Sequence, residues 1–393
     1  MKLRTALAAA ALAVVLPFAG YAATSTALSQ TTSAVSTETT TDTTTTSTGS
    51  TSGTTTTTST TAAVDVDWSS LPTTDVTLTD DGLAITEAGT YVLTGSTTGQ
   101  VTVDTDGYVR IVLDNATIAS SEGAAIQVDN AELTVIELAD GTTNTVSDAA
   151  TRSDEEIDGA IYSADDLVIT GSGTLNLTAN FADGIVGKDD LWIESGTINL
   201  TSVDDGIRGK DSLTIDGGTI TIDATGDGLK SSNDTDLGEG QLTITDGVIT
   251  ITSGDDAIKA EQQIWITGGT ITTDSVEGIE APVIVIDDGD ITVNASDDGL
   301  NASASEIITD GLSITINGGN LAVTMAAGDT DAIDSNGDLT ITGGTIDITA
   351  QSSFDYDGTG TLTGGTITVN GQQVTELSNQ MMGGGQPGGP GQR

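Results

Sequence analysis

A short motif recurs along the chain: an acidic residue, then Gly or Ala, then an aliphatic residue. The carboxylates of these acidic residues are the groups in the sequence most able to bind cations. The recurring residues are Asp158, Asp183, Asp205, Asp227, Asp256, Glu277, Asp298 and Asp331. A second acidic residue stands directly before three of them, at Asp204, Asp255 and Asp297. If the repeats stack, neighbouring carboxylates repel by about 0.9 to 3.5 kcal/mol per pair, depending on the local dielectric. Such a column requires cations.

Five basic residues follow the acidic step closely. Arg208, Lys230 and Lys259 share one offset after it, and Lys188 and Lys210 stand two positions further on. They are too few to balance the carboxylates, so we also expect Ca²⁺, which takes several carboxylate and carbonyl oxygens as ligands. The predicted calcium ligands are Asp183, Asp204, Asp205, Asp227, Asp255, Asp256, Asp297 and Asp298. The alternative is that each Asp-Gly pair only forms a turn, for which both residues are well suited.

Two tryptophans and three basic residues are candidates for binding carbohydrate. Trp192 and Trp265 occur in the matching triplets Leu-Trp-Ile and Ile-Trp-Ile, and exposed indole rings at this spacing would stack on separated sugar rings. Arg208, Lys230 and Lys259 would bind carboxylates of an acidic polysaccharide, or act as a base in β-elimination if the pKa of one of them is lowered. The alternatives are that the tryptophans cover a loop or an oligomer contact, and that the basic residues form salt bridges. No residue is singled out as catalytic.

A repeat of about 24 residues positions these groups. Its Gly-Gly-Thr-Ile step recurs, in whole or in part, at Thr197, Thr219, Val248, Thr270, Asp290, Asn320, Thr345 and Thr366. Short segments such as Leu213–Ile215 and Ile220–Ile222 alternate aliphatic and Thr residues, which is typical of strands with one buried face. Three short strands per repeat predict an all-β chain folded as a parallel β-helix (a β-solenoid) of about 13 turns.

The repeat also predicts the core as three columns of stacked aliphatic side chains. The first column is Ile185, Ile207, Leu229, Ile258, Ile279, Leu300 and Ile333. The second is Leu191, Leu213, Leu242, Ile264 and Ile284. The third is Ile198, Ile220, Ile249, Ile271 and Ile291. Outward Thr pairs such as Thr219/Thr221 resemble ice-binding arrays, but Asn199, Asp290, Ala322 and Asp347 interrupt the pattern.

The composition excludes several functions. The chain has 393 residues with no Cys and no His, so it forms no disulfide, no zinc finger and no His-based triad. Its formal net charge of -48 argues against nucleic-acid binding through phosphate neutralisation.

The ends differ in composition from the body. Residues 1–22 read as a secretory signal peptide, with Lys2 and Arg4 before an apolar run too short for a convincing membrane span. Residues 23–63 form a Thr/Ser-rich linker and residues 377–393 a disordered Gly/Pro/Gln tail. The folded body is therefore expected at 64–376, in a protein that is secreted or held at the cell surface.

The ordered set of motifs resembles a known family. The set begins with residues 138–148 (Leu-Ala-Asp-Gly-Thr-Thr-Asn-Thr-Val-Ser-Asp) and 158–167, and continues with the Asp-Gly steps at Asp183, Asp205 and Asp227. It is similar to the secreted bacterial carbohydrate-binding β-helix proteins, whose fold is similar to that of pectate lyases. The resemblance implies a right-handed parallel β-helix, bound Ca²⁺ and binding of polymers such as cellulose and polygalacturonate. Departures from the pattern are Ala257, Ala332 and Glu277.

Three functions follow as hypotheses. The first is a calcium-dependent protein that binds extracellular or plant-cell-wall-type polysaccharide without cleaving it. The second is a calcium-dependent lyase acting on a uronate polymer. The third is a structural protein of a cell surface or biofilm matrix. The sequence does not indicate an oligomeric state.

Overall fold

The computed structural model describes residues 66–328 and 330–379. The predicted signal peptide (1–22), the linker (23–63) and the tail from residue 380 onward lie outside these residues. Within them, one 3₁₀ turn at Trp68–Ser70 precedes 36 strands, numbered β1 to β36 in chain order. The described part of the chain contains no helix with the length and hydrophobicity of a membrane span.

Three strands open the fold, and all the others except the last form three faces. The opening strands are Thr73–Leu78 (β1), Gly89–Thr97 (β3) and Tyr108–Ala119 (β5). The first face consists of Leu83–Ile85 (β2), Val101–Asp104 (β4), Ile126–Asn130 (β6), Gly159–Ser163 (β9), Asp183–Gly187 (β12), Ile207–Gly209 (β15), Leu229–Ser231 (β18), Asp256–Ala260 (β21), Glu277–Glu280 (β24), Leu300–Ala302 (β27), Ile333–Ser335 (β30) and Asp355–Tyr356 (β33).

The second and third faces branch from β5, which pairs with one strand of each. The second face consists of Leu133–Leu138 (β7), Leu167–Gly171 (β10), Asp190–Ile193 (β13), Ser212–Ile215 (β16), Gln241–Ile244 (β19), Gln263–Ile266 (β22), Val283–Ile286 (β25), Ser313–Ile316 (β28), Asp338–Ile341 (β31) and Gly360–Leu362 (β34). The third face consists of Thr143–Ser147 (β8), Thr174–Ala179 (β11), Thr197–Ser202 (β14), Thr219–Ala224 (β17), Val248–Ser253 (β20), Thr270–Ser275 (β23), Asp290–Ala295 (β26), Asn320–Met325 (β29), Thr345–Thr349 (β32) and Thr366–Val369 (β35).

Each strand of a face pairs in parallel with the equivalent strand of the next turn, which confirms the parallel β-helix. Twelve strands on the first face mark twelve turns, and β1 precedes them, close to the predicted thirteen. The last strand of the described residues is β36 (Gln372–Val374), which runs antiparallel to β35.

The predicted aliphatic columns are confirmed by the register. On the first face Ile185 pairs with Ile207, which pairs with Leu229, and the column continues to Ile333. The second and third columns follow in the same way on their faces. All their side chains are buried. A core one side chain thick explains why a chain poor in large apolar residues folds, because each turn has only to match its neighbours.

The second glycine of the Gly-Gly-Thr step sets the turn between the second and third faces. Gly269 adopts a φ of +89°, which L side chains rarely adopt, and an added Cβ would lie 3.2 Å from the carbonyl oxygen of Gly247 one turn earlier. Equivalent glycines with positive φ are Gly196, Gly218, Gly247, Gly289, Gly319, Gly344 and Gly365. The turn therefore repeats unchanged even where insertions lengthen other parts of the repeat.

Candidate functional site

The acidic residues at or just before the start of the first-face strands form a hydrogen-bonded column. Asp183 Oδ1 accepts the backbone N–H of Asp205 at 3.1 Å, and Asp205 Oδ1 accepts that of Asp227 at 2.9 Å. Asp227 Oδ1 accepts the N–H of Asp256 at 3.0 Å. One oxygen of each carboxylate thus binds the backbone of the next turn, which leaves the other oxygen for a cation.

The predicted basic residues supply those cations. Arg208 lies 2.5 Å from Oδ2 of both Asp158 and Asp183. Lys230 lies 2.7 Å from Asp227 Oδ2 and 3.1 Å from Asp205 Oδ2. The salt-bridge alternative for these residues is therefore confirmed, and each cation joins carboxylates of consecutive turns.

Lys259 continues the same column with a different pair of partners. Its Nζ lies 2.6 Å from Asp256 Oδ2 and 2.5 Å from Glu280 Oε2. Burial, together with a hydrogen bond between the two acids, raises the pKa of Asp256 to about 8 despite Lys259. Lys259 therefore joins acids of two consecutive turns, as Arg208 and Lys230 do.

Burial and charge act against each other at the cations. Burial alone lowers the pKa of Lys230, but Asp205 and Asp227 outweigh it, so the net pKa lies above the usual range. Asp183 and Asp158 raise the pKa of Arg208 in the same way, against the effect of burial. These side chains are fixed cations and do not release protons near neutral pH.

The column loses its cations beyond Lys259. The register continues from Lys259 through Glu280 and Asn301 to Asp334, and the sequence has no Lys or Arg from residue 260 to residue 392. Burial raises the pKa of Glu277 to about 7, and it raises the pKa of Asp298 and Asp334 to about 6, with further contributions from neighbouring acids. We name Glu277, Asp298, Asn301 and Asp334 the cation-poor segment.

One oxygen in this segment is suited to a metal ligand. Asn301 donates its Nδ2 to Glu277 Oε2 at 2.9 Å, whereas its Oδ1 is buried and accepts no hydrogen bond from the described residues. A neutral amide oxygen between acidic side chains belongs to the ligand set that Ca²⁺ prefers. The residues of the cation-poor segment therefore fit a calcium ion by their chemistry.

The predicted calcium ligands fall into two groups. Asp183, Asp205, Asp227, Asp256 and Asp298 lie in the column itself. Asp204, Asp255 and Asp297, which precede column residues, are exposed. Oxygens of Asp227, Asp255 and Asp256 lie within 4.8 Å of one another, as do oxygens of Asp256, Glu277 and Glu280. These two clusters of oxygens share Asp256, and the column residues Asp183, Asp205, Asp227 and Asp256 already have Arg or Lys partners.

The prediction that the acidic column starts at Asp158 is wrong, because Asp158 is displaced from the column by one residue. Asp183 pairs with Gly159, and Asp158 therefore lies just before the column. Asp158 still contributes, because its Oδ2 binds Arg208 and lies 3.5 Å from Lys188.

Trp192 and Trp265 occupy one outward column of the second face, three turns apart, as predicted. The prediction that Trp192 presents an exposed ring is wrong, because its side chain is only 5% exposed and packs in a cluster with Val168 and Trp68. Val66 and Trp68, from the segment before β1, pack against this cluster, and the repeat pattern does not describe that segment.

Trp265 remains partly exposed and is held in place. Its Nε1–H donates to Asp287 Oδ2 at 2.7 Å, and Asn317 donates to the other oxygen of the same carboxylate at 2.8 Å. Thr342 in turn donates to Asn317 Oδ1 at 2.7 Å. This chain of hydrogen bonds fixes the indole ring on a rigid strand.

Sequence reasoning missed that the position occupied by Arg208, Lys230 and Lys259 becomes acidic or neutral in the later turns. Glu280 follows Glu277 at the same spacing at which Lys259 follows Asp256, and Asp334 follows Asp331 likewise. Extending that offset beyond Lys259 would have predicted the cation-poor segment. A buried Arg152–Asp148 salt bridge at 2.7 Å was also missed, and it lies in a loop without repeat signals.

Comparisons with known proteins agree with this architecture. A family model described as "Carbohydrate-binding domain-containing protein" matches residues 79–283 and 273–380. A curated protein of Acetivibrio thermocellus with the same description is 37% identical over 124 residues, which cover 30% of this chain and 43% of that protein. The match therefore spans less than half of the relative's length.

A solved structure shares the fold. It is described as the polysaccharide lyase-like protein from C. thermocellum, in a gadolinium derivative. It is 32% identical to this chain with a TM-score of 0.52, and the match covers 58% of this chain and 94% of that one.

Proposed function

The chain belongs to the family of carbohydrate-binding domain-containing proteins, and from this we propose that it binds an extracellular polysaccharide in a calcium-dependent manner and without cleaving it. The protein would act outside the cell, where millimolar calcium suits weak oxygen-rich sites. The observation that carries the proposal is the fixed, partly exposed ring of Trp265.

Trp265 suits a sugar ring for physical reasons. An aromatic side chain offers a large apolar surface at a low cost in conformational entropy, and its polar atom is already satisfied by Asp287. Gln263 lies two residues before it on the same strand and on the same side of the sheet, where its amide can reach hydroxyl groups. The tryptophan supplies apolar contact and its neighbours supply hydrogen bonds.

Calcium would be held by the cation-poor segment. Asn301 would provide its buried Oδ1 and Glu277, to which it is hydrogen-bonded, a carboxylate oxygen, with Asp298 and Asp334 as the acidic residues nearest to them along the column. The ion would neutralise the later turns as Arg208 and Lys230 neutralise the earlier ones.

Truncation of Trp265 tests the binding site. We expect Trp265→Ala to weaken binding to the polysaccharide about tenfold or more, since central aromatic residues dominate most interfaces. Sedimentation with insoluble cellulose and titration with polygalacturonate, each with calcium, measure the effect. The control is Val285→Ala, which shortens the next side chain of the same column.

Equal binding by wild type and Trp265→Ala would contradict the proposed site. Failure of the wild-type protein to bind any glycan would contradict the proposed function and favour a structural role at a cell surface.

A lyase is the second candidate, because the solved relative is described as lyase-like. β-Elimination needs a base with a pKa near the working pH. Arg208, Lys230 and Lys259 are paired with carboxylates that raise their pKa, so none of them supports this role.

We therefore expect no unsaturated product when the protein is incubated with polygalacturonate and calcium, as followed by ultraviolet absorbance. Product formation that Lys230→Ala abolishes would establish the lyase and overturn the non-catalytic proposal.

A further inference from the structure

A depression interrupts the third face where Ala322 replaces the larger residues of its column. The column runs from Thr272 through Thr292 and Ala322 to Asp347. The depression measures about 190 Å³. Its lining residues are Asp290, Ile291, Thr292, Asn320, Leu321, Ala322, Thr345 and Asp347. It is smaller than pockets for drug-sized ligands, which span about 300–1,000 Å³, and this size suits a single ring.

The rim has the groups that bind sugar hydroxyls. Asp290 and Asp347 accept hydrogen bonds, and Thr292 and Thr345 both donate and accept. Asn320 is oriented by its own neighbour, since its Nδ2 donates to Asp290 Oδ1 at 2.6 Å. All these residues lie on adjacent strands, so the rim is rigid.

The charge of the face selects among polysaccharides. None of the ten strands from β8 to β35 on the third face contains Lys, Arg or an aromatic residue. Asp290 and Asp347 therefore face a ligand without any compensating cation from these strands. A uronate would be repelled, whereas a neutral sugar would donate its hydroxyl protons to the two carboxylates.

We propose that the Ala322 depression is a binding subsite for one neutral sugar ring of a polysaccharide chain, separate from the Trp265 site on the second face. This inference rests on the proposed carbohydrate-binding function. It adds a second contact on a different face and a preference for neutral over acidic chains at that contact.

Filling the depression tests the proposal. Ala322→Thr restores the residue type found at Thr292, and a β-branched side chain on an exposed strand is well tolerated. We expect its affinity for cellohexaose, measured by titration calorimetry, to fall about tenfold, with polygalacturonate binding unchanged. The matched control is Thr250→Val, in the same column where the face is flat, and it should bind cellohexaose as the wild type does.

The outcomes separate this inference from the proposed function. If Ala322→Thr binds cellohexaose as tightly as the wild type, or if the wild type binds polygalacturonate but not cellohexaose, the subsite is wrong and the proposed function stands. If affinity falls equally in Thr250→Val, the whole Thr face binds and the depression is not a distinct subsite. If the wild type binds neither glycan, the proposed function itself fails.

Discussion

Replacing Arg208 by methionine is expected to lower the free energy of unfolding by about 3–5 kcal/mol, the usual cost of removing one partner from a buried ion pair. Arg208 is 14% exposed and joins Asp158 and Asp183, whose side chain is 4% exposed. Burial already raises the pKa of Asp183 to about 6 in the presence of Arg208. Without the arginine, a buried carboxylate would remain unpaired at neutral pH. Thermal unfolding should shift down by about 5–8 °C.

Two further variants isolate the cause. Lys210→Met removes a cation that is 41% exposed and 3.3 Å from Asp211, so it should cost no more than about 1 kcal/mol. Asp183→Asn combined with Arg208→Met should recover part of the loss, because a neutral amide needs no counter-charge. The loss should also shrink at pH 5, where Asp183 is protonated. An unchanged melting temperature in Arg208→Met would mean that the column does not depend on its arginine.

Removal of calcium is expected to make stability depend strongly on pH. In the cation-poor segment the pKa of Glu277 is raised to about 7 and those of Asp298 and Asp334 to about 6, mainly by burial. In chelator the folded protein therefore binds more protons than the unfolded chain between about pH 4 and pH 7. The stability contributed by these protons is present at the acidic end of this range and is lost as the pH rises through it. We expect the melting temperature to fall by about 5 °C from pH 5 to pH 8, with allowance for partial solvent exposure.

Calcium should reverse this loss at pH 8 and have little effect at pH 5. A concentration one hundred times the dissociation constant contributes about 2.7 kcal/mol. Magnesium is the control ion, because it demands a tighter octahedral site. Asn301→Leu should abolish most of the calcium effect by removing the amide oxygen. A melt in chelator that is as stable at pH 8 as at pH 5 would contradict the raised pKa values, and a melt that calcium leaves unchanged would contradict the site.

The repeat made the register predictable. A step such as Gly217-Gly218-Thr219 fixes where each third-face strand begins, and counting from it aligns Ile185 with Ile207 and Leu229 without reference to the insertions. The pairing of Arg208 and Lys230 with the acidic column follows from the same count. The register and these ion pairs depend on the spacing of residues close together within one repeat, so the sequence of each repeat is enough to predict them.

The features that depend on contacts between distant residues were not predictable. Trp192 belongs to a buried cluster against which Trp68 packs, and Trp68 precedes the first strand and belongs to no repeat. The Ala322 depression depends on the side chains of three consecutive turns, and the sequence alone shows only an interruption of the Thr pattern. The start of the column moved from Asp158 to Asp183 because Asp183 aligns with Gly159.

The reversal at β36 bears on filament growth. A strand stack with an open edge is a template on which a further strand from another copy can add, as in cross-β fibrils. Here the edge of β35 is already used, since Ile367 pairs with Val374 and Val369 pairs with Gln372 in the opposite direction. A second copy arriving to continue the parallel stack on this face would meet a three-residue strand running the wrong way. At this edge of the third face, β36 therefore opposes the parallel addition of a further strand.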